Sequence, residues 1–237
     1  MKRKLHTHIR NQRKDRWLAR GAVIVIVGLQ GAIVNDFWVG SRWFGPIVEL
    51  ALLIPLSIGT ILTYRSAMRA ESDEDWDQVG SRRRWVRRLA IALTALSTIL
   101  NFVALFLLTK AIFEGHAGSG RTLLLDAINI WVTNVVVFAL WFWTLDRGGP
   151  SSRGLVAPHL CDFVFTQQAL GSDSKGFADW SPGFVDYLFL AYTNATAFSP
   201  ADTFPLTPRA KLLMMAESFI SLITIALVAS RAVGILG

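Results

Sequence analysis

Apolar residues in this chain gather into runs of about twenty, the length that crosses a bilayer, separated by breaks rich in arginine or turn formers. The runs occupy 21–40, 44–64, 89–109, 123–145 and 208–234. At about 1.5 Å rise per residue, each is long enough as a helix to cross a hydrocarbon core of about 30 Å. Only Ser41, Arg42 and Trp43 separate the first two, which predicts a tight helical hairpin. Another apolar segment is only half as long. Ser181-Pro182 is a helix start, because serine caps and proline suits the first helical position. The helix it predicts ends in the polar Thr193-Asn194-Ala195-Thr196 and reaches about 22 Å. A membrane tolerates such an end only where protein or a water-filled cavity covers it. Thr207-Pro208 repeats the start signal and opens the last run. The expected fold is therefore an all-α integral membrane protein, with five transmembrane helices and a short re-entrant or interfacial helix before the last span.

The breaks set the organisation. A basic tail covers 1–20, and a four-helix region covers 21–145 with a charged link at 65–88. A peripheral loop with an amphipathic piece follows at 146–183, beginning where Arg147-Gly148-Gly149-Pro150 stops the fourth run. The short helix, a polar turn and the final span make up 184–237. The link carries an acidic block, Glu71 to Asp77, followed by Arg82, Arg83, Arg84, Arg87 and Arg88, and reads as a solvated loop.

Composition agrees with this pattern: 52% of the residues are hydrophobic and 17% charged, against about a quarter charged in soluble domains. The net charge of +7 is concentrated at span ends. The tail holds eight Lys and Arg and the 65–88 link seven, against one in the 41–43 turn and two in 110–122. The charge rule makes the tail and the link cytoplasmic, in a plasma (bacterial inner) membrane. It also makes the tail and the Arg82–Arg88 cluster contacts for anionic lipid headgroups, with no role for nucleic acid. Simple alternation then puts 146–207 on the cytoplasmic side. Trp38, Trp43, Trp85, Trp141 and Trp143 sit near run ends, where indole favours the membrane interface. The long basic tail, with no cleavage site after the first run, does not read as a secretory signal. The single cysteine, Cys161, excludes an internal disulfide framework.

The candidate chemistry is polar residues inside apolar runs. In the last run Glu217, Ser221, Thr224 and Arg231 fall within about 80° of one another at 100° per residue, giving one polar stripe. Such groups face a bundle interior or a wet cavity. Glu49, Asn101, Asp126 and Asn129 are further intramembrane polar residues, and Asp126, Asn129 and Thr133 share one side of the fourth run. Asn35, Asp36 and Glu49 lie near run ends, within reach of water. A proton or cation relay through Glu49, Asp126 and Glu217 is one use of these groups, and helix–helix packing is another. His6, His8, His116 and His159 are dispersed, so no metal or cofactor site is expected. No nucleophile–base set is present to suggest an enzyme.

The order short helix, polar loop, Asp, Pro, long helix resembles the pore module of tetrameric potassium-type cation channels. That family's Thr-Thr-Val-Gly-Tyr-Gly-Asp pattern lies without a gap on Thr196-Ala197-Phe198-Ser199-Pro200-Ala201-Asp202, with Pro205 in step. The likeness covers roughly 186–215, and within the pattern Thr196, Asp202 and Pro205 are identical. Ser199 and Ala201 replace the filter glycines and Pro200 the tyrosine, which argues against potassium selectivity. The resemblance implies a homo-oligomeric pore for monovalent cations built from 184–234, with Thr193 and the segment from Thr196 to Asp202 as filter-like residues. The family's pore modules enter from the outer face, whereas the charge rule puts this segment inside. The chain also looks like members of an uncharacterised bacterial membrane-protein family. The other readings are a non-transporting scaffold or accessory subunit and a small proton- or cation-coupled transporter.

Overall fold

The structure is a computed structural model that describes residues 2–32, 44–70, 72–114, 120–149, 161–170, 180–197, 199 and 202–236. Among them are helices α1 (Lys2–Gly31), α2 (Phe44–Arg69), α3 (Asp73–Phe113) and α4 (Gly120–Leu145), then strand β1 (Phe163–Phe165) and the one-turn α5 (Thr166–Ala169). The short helix α6 (Phe184–Ala197), strand β2 (Thr203–Pro205) and the final helix α7 (Pro208–Leu236) complete the order. Four helices are long and apolar enough to cross a membrane, over Pro46–Arg69, Glu74–Phe113, Gly120–Gly148 and Pro208–Ala229. Five were expected. The first of those, 21–40, is described only to Ala32, and the hairpin turn at 41–43 also falls outside the described residues.

The outward faces of these helices are apolar. Ile54 on α2 is 62% exposed, Phe106 on α3 61% and Phe219 on α7 63%. Side chains of this size suit lipid rather than water. α4 is the central helix, packed against α1, α3, α6 and α7. In its most apolar stretch 61% of residues are buried, against 17% for α2. Ile26, Phe138, Phe142, Tyr187 and Leu190 form the centre of the main core. Trp143 stacks edge-on against Phe184, and the Trp141 indole donates to Thr98 Oγ1 at 2.8 Å. These two tryptophans are therefore packing residues, whereas Trp85 is 64% exposed, as an interface residue would be.

The charged link is helical rather than a loop. α2 ends at Arg69, and α3 starts at Asp73 and runs for 41 residues. That is about 60 Å, roughly twice the hydrocarbon thickness. Ser72 and Asp75 form a reciprocal cap: the Asp75 amide donates to Ser72 Oγ at 3.2 Å, and the Ser72 amide to Asp75 Oδ2 at 3.1 Å. One acidic residue of the block thus starts a helix that the density of charge had disguised. Arg82 returns to donate to Ser66 Oγ across the turn.

α4 stops as expected. A single 3₁₀ turn, Asp146–Gly148, follows it, and φ is positive at Arg147 (52°), Gly148 (74°) and Gly149 (83°). The two glycines supply that left-handed path without a side-chain penalty. The region after it is more than a peripheral loop, because β1 pairs antiparallel with β2, Val164 opposite Phe204. This small sheet clips the chain before α6 to the chain after it. Three-residue strands are too short to give an alternating signal, so the sequence reads as all-α. α6 begins at Phe184, two residues later than Pro182, and α7 begins at Pro208 with the Ala210 amide donating to Thr207 Oγ1 at 3.3 Å.

Candidate functional site

The final helix turns its polar stripe inward. Glu217, Ser221 and Thr224 are all buried, with Glu217 at 0% exposure. The Arg231 side chain, the fourth member, lies outside the described residues. Each partner of Glu217 comes from a different helix. Asn194, near the polar end of α6, donates its side-chain amide to Glu217 Oε2 at 2.7 Å and to the Met214 carbonyl at 3.0 Å. Asn134 of α4 donates to Ser221 Oγ at 3.0 Å and to the Glu217 carbonyl at 3.4 Å. Glu217 Oε1 is buried without a hydrogen-bond partner. An ionised carboxylate so placed costs several kcal/mol without a counter-charge.

A second buried carboxylate lies on α2. Glu49 of α2 is fully buried rather than within reach of water. Its Oε1 accepts from Ser97 Oγ of α3 at 2.6 Å and from Gln30 Nε2 of α1 at 3.2 Å, and its Oε2 is buried without a partner. Polar steps lead from it towards Glu217. Leu29, next to Gln30, offers its carbonyl to Asn129 of α4 at 2.7 Å, and Thr133 donates to Asn129 Oδ1 at 3.4 Å. Thr133 adjoins Asn134, which reaches the Glu217 group. This succession of polar groups, joined in part by hydrogen bonds and in part only by adjacency along α1 and α4, is a broken polar seam between the two carboxylates. Asp126 and Asn101 are buried at 2% and 5% exposure, and Asp126 stands one turn before Asn129. Asn35 and Asp36 are outside the described residues.

The filter-like residues are arranged differently. Thr193 donates to the carbonyls of Phe189 and Leu190 at 3.0 Å, and Thr196 to that of Tyr192 at 2.8 Å, so both hydroxyls are used within α6. Thr196, Ala197 and Ser199 are exposed. Phe198, Pro200 and Ala201 lie outside the described residues. The Asp202 carbonyl accepts from the Thr166 amide at 3.1 Å and its hydroxyl at 2.6 Å, and Asp202 Oδ1 accepts from Thr203 Oγ1 at 3.1 Å. Asp202 thus ties the turn to α5.

Two carboxylates outside the sequence-derived set hold the base of this unit. Asp146 is fully buried, accepts from the Asp162 amide at 2.7 Å and from the Tyr187 hydroxyl, and is ion-paired with Arg147, whose Nε lies at 3.3 Å. Asp162 takes a two-pronged contact from Arg209, at 2.6 Å to each oxygen, and a bond from the Thr207 hydroxyl. Apart from Arg147, their partners are remote in sequence, so little local spacing marks them; Asp146 beside the Gly148-Gly149 stop is the main cue. At the start of α6, Asp15 of α1 accepts from the Phe184 amide at 3.3 Å, and Asp186 accepts from the Gly183 amide at 2.7 Å. A Cβ on Gly183 would stand 2.8 Å from Asp15 Oδ1, so a larger residue there would have to move the Asp15 carboxylate. Burial pushes the Asp186 carboxyl above its ordinary range; the Gly183 amide partly offsets this, while Asp15 and Asp202 add to it.

No protein-family model matches this chain, and neither a curated protein nor a solved structure matches it.

Proposed function

We propose that this protein moves protons or small monovalent cations across a membrane, using Glu217 as the exchanging carboxylate and the seam through Asn134 and Asn129 towards Glu49 as its polar route. The observation that carries this reading is the Glu217 carboxylate, with one oxygen bonded to Asn194 of the half-length helix and the other buried without a partner. Intramembrane carboxylates with this surrounding mark proton and ion relays. Glu217 faces α4 and α6 of its own chain, which favours an ion site within a protomer over one shared around an oligomeric axis.

A channel-like reading has its own support. α6 and α7 both begin near the buried Asp146–Asp162 base, through Tyr187 and Arg209 respectively, and the chain between them returns to that base through β2. A short helix that enters, a turn that comes back and a long helix that crosses is the path of a re-entrant pore module. On that reading 184–234 lines a homo-oligomeric pore, Asp202 stands at its mouth, and α1 supplies the fifth span.

Reconstitution into liposomes tests both. Under a pH or cation gradient the native protein is expected to carry flux, Glu217→Gln to lower it at least tenfold, and Asp202→Asn to leave it within about twofold. Flux insensitive to Glu217→Gln but altered by Asp202→Asn favours the pore. Native flux no higher than that of empty liposomes sinks both and leaves a non-transporting scaffold.

A further inference from the structure

A second feature, independent of the transport reading, lies where α1, α2, α3 and α4 converge. A cavity of about 60 Å³ opens there. Its walls are mostly apolar, with Val23, Leu53, Leu56, Leu93 and Leu140 among them, but Arg16, Arg20 and Arg87 also line it. Among the described residues no carboxylate does. Arg16 and Arg20 are four residues apart on α1 and so share a face, while Arg87 comes from α3. Of the basic run at 82–88, only Arg87 lines this cavity.

Arg16 and Arg20 are held in place, and among the described residues none of the three arginines forms an ion pair. Arg16 stacks over the Tyr64 ring at 4.1 Å, and Arg20 donates to the Ser57 carbonyl at 3.3 Å. Arg16 Nη1 and Arg87 Nε are buried without a hydrogen-bond partner. An unpaired buried donor on a charged group costs more than a neutral one, and guanidinium forks match phosphate oxygens. At roughly 12 Å³ for each water-sized group, the cavity takes about five such groups, the scale of one phosphate with its bridging atoms. It has no room for a whole lipid, but its wall is apolar and the exposed faces of α2 and α3 beside it are apolar too.

We propose that this cavity binds the phosphate of an anionic amphiphile, with Arg16, Arg20 and Arg87 on the phosphate and the acyl chains lying outside along the apolar helix faces. The same phosphate chemistry is offered by a membrane phospholipid or by free phosphate, and the apolar wall selects the lipid. The site differs from general attraction of headgroups to exposed arginines, because it has a volume and buried guanidinium nitrogens without a hydrogen-bond partner.

The test follows thermal unfolding of the purified full chain in neutral detergent, titrated separately with phosphatidylglycerol, phosphatidylcholine and inorganic phosphate. Phosphatidylglycerol is expected to raise the midpoint by several degrees. Arg87→Gln and Arg16→Gln should each raise the lipid concentration for half the effect at least tenfold. Ala90→Leu, which narrows the cavity and leaves all three arginines in place, should do the same and guards against misfolding of the arginine variants. Arg82→Gln, on the exposed run, should change it less than twofold. An equal rise with phosphatidylcholine, a full rise with inorganic phosphate alone, or an equal loss in Arg82→Gln and Arg87→Gln overturns the proposal.

Discussion

At the residue scale the proposed route rests on three amides and two acids. Asn194 and Asn134 supply the donors around Glu217, and Asn129 steps the seam onwards. Removing one partner of a buried charged or polar group costs more than the bond itself contributes, because the other partner stays desolvated. Asn194→Ala takes away the one side-chain donor bonded to the Glu217 carboxylate. It is expected to lower stability by about 1–3 kcal/mol, read as a fall in the unfolding midpoint in detergent. The double variant Asn194→Ala/Glu217→Ala should recover part of that loss, since the orphaned acceptor is gone; strictly additive losses would contradict the pairing. The inward stripe of Glu217, Ser221 and Thr224 was legible from helical spacing alone, because three and four residue steps bring side chains to one face. What the spacing could not supply is the partner of each group. Asn194 is 23 residues from Glu217, and Asn134 is 87 from Ser221. Asp146 and Asp162 were invisible for the same reason, their bonds being made across 16 to 47 residues.

At the element scale, helix ends decide the architecture. Thr207 caps α7 as its sequence promised, whereas α6 takes its capping from Asp186 and from Asp15 on another helix. An intrahelical rule such as serine followed by proline cannot anticipate a cap supplied from so far away, which is why the predicted start is two residues early. The link at 65–88 misled for a different reason. Its charge density reads as solvent, yet a helix outlasts its apolar stretch when its polar part is well capped. The α6 end also makes a pH prediction. The folded chain holds the Asp186 proton more tightly than the unfolded chain, because burial, Asp15 and Asp202 raise this carboxyl. Stability from this group is therefore present where the carboxyl is protonated. It is lost as pH rises from the ordinary carboxylate range through the raised folded value. Asp186→Asn keeps an acceptor for Gly183 and removes the titration. Its unfolding midpoint should fall less steeply than the native one across that mildly acidic window. Parallel profiles for the two proteins would show that Asp186 is not the titrating group.

At the scale of the whole molecule the question is which side of the membrane faces the α6 entrance. Asp15 of α1 touches the start of α6, Tyr187 of α6 touches Asp146 at the end of α4, and Asp162 holds Arg209 at the start of α7. Arg16, Arg20 and Arg87 join this end of the bundle through the cavity they share with Thr144. The basic tail and the basic start of α3 therefore lie at the same end as the turn after α4 and the small sheet. The charge rule assigns that end to the cytoplasm as one unit, so the half-length helix would enter from inside. The sequence count reached that side by alternation over spans, which one miscounted helix would invert; the contacts show that these segments share one end, and only the charge rule gives that end a side. Cys161 offers a direct readout, being the only cysteine in the chain, partly exposed and adjacent to Asp162. A membrane-impermeant maleimide added to intact cells is expected to leave it unlabelled and to label it after permeabilisation. Equal labelling before and after would put this end outside. The half-length helix would then enter from the outer face, as the channel-like reading requires, and the basic tail would break the charge rule.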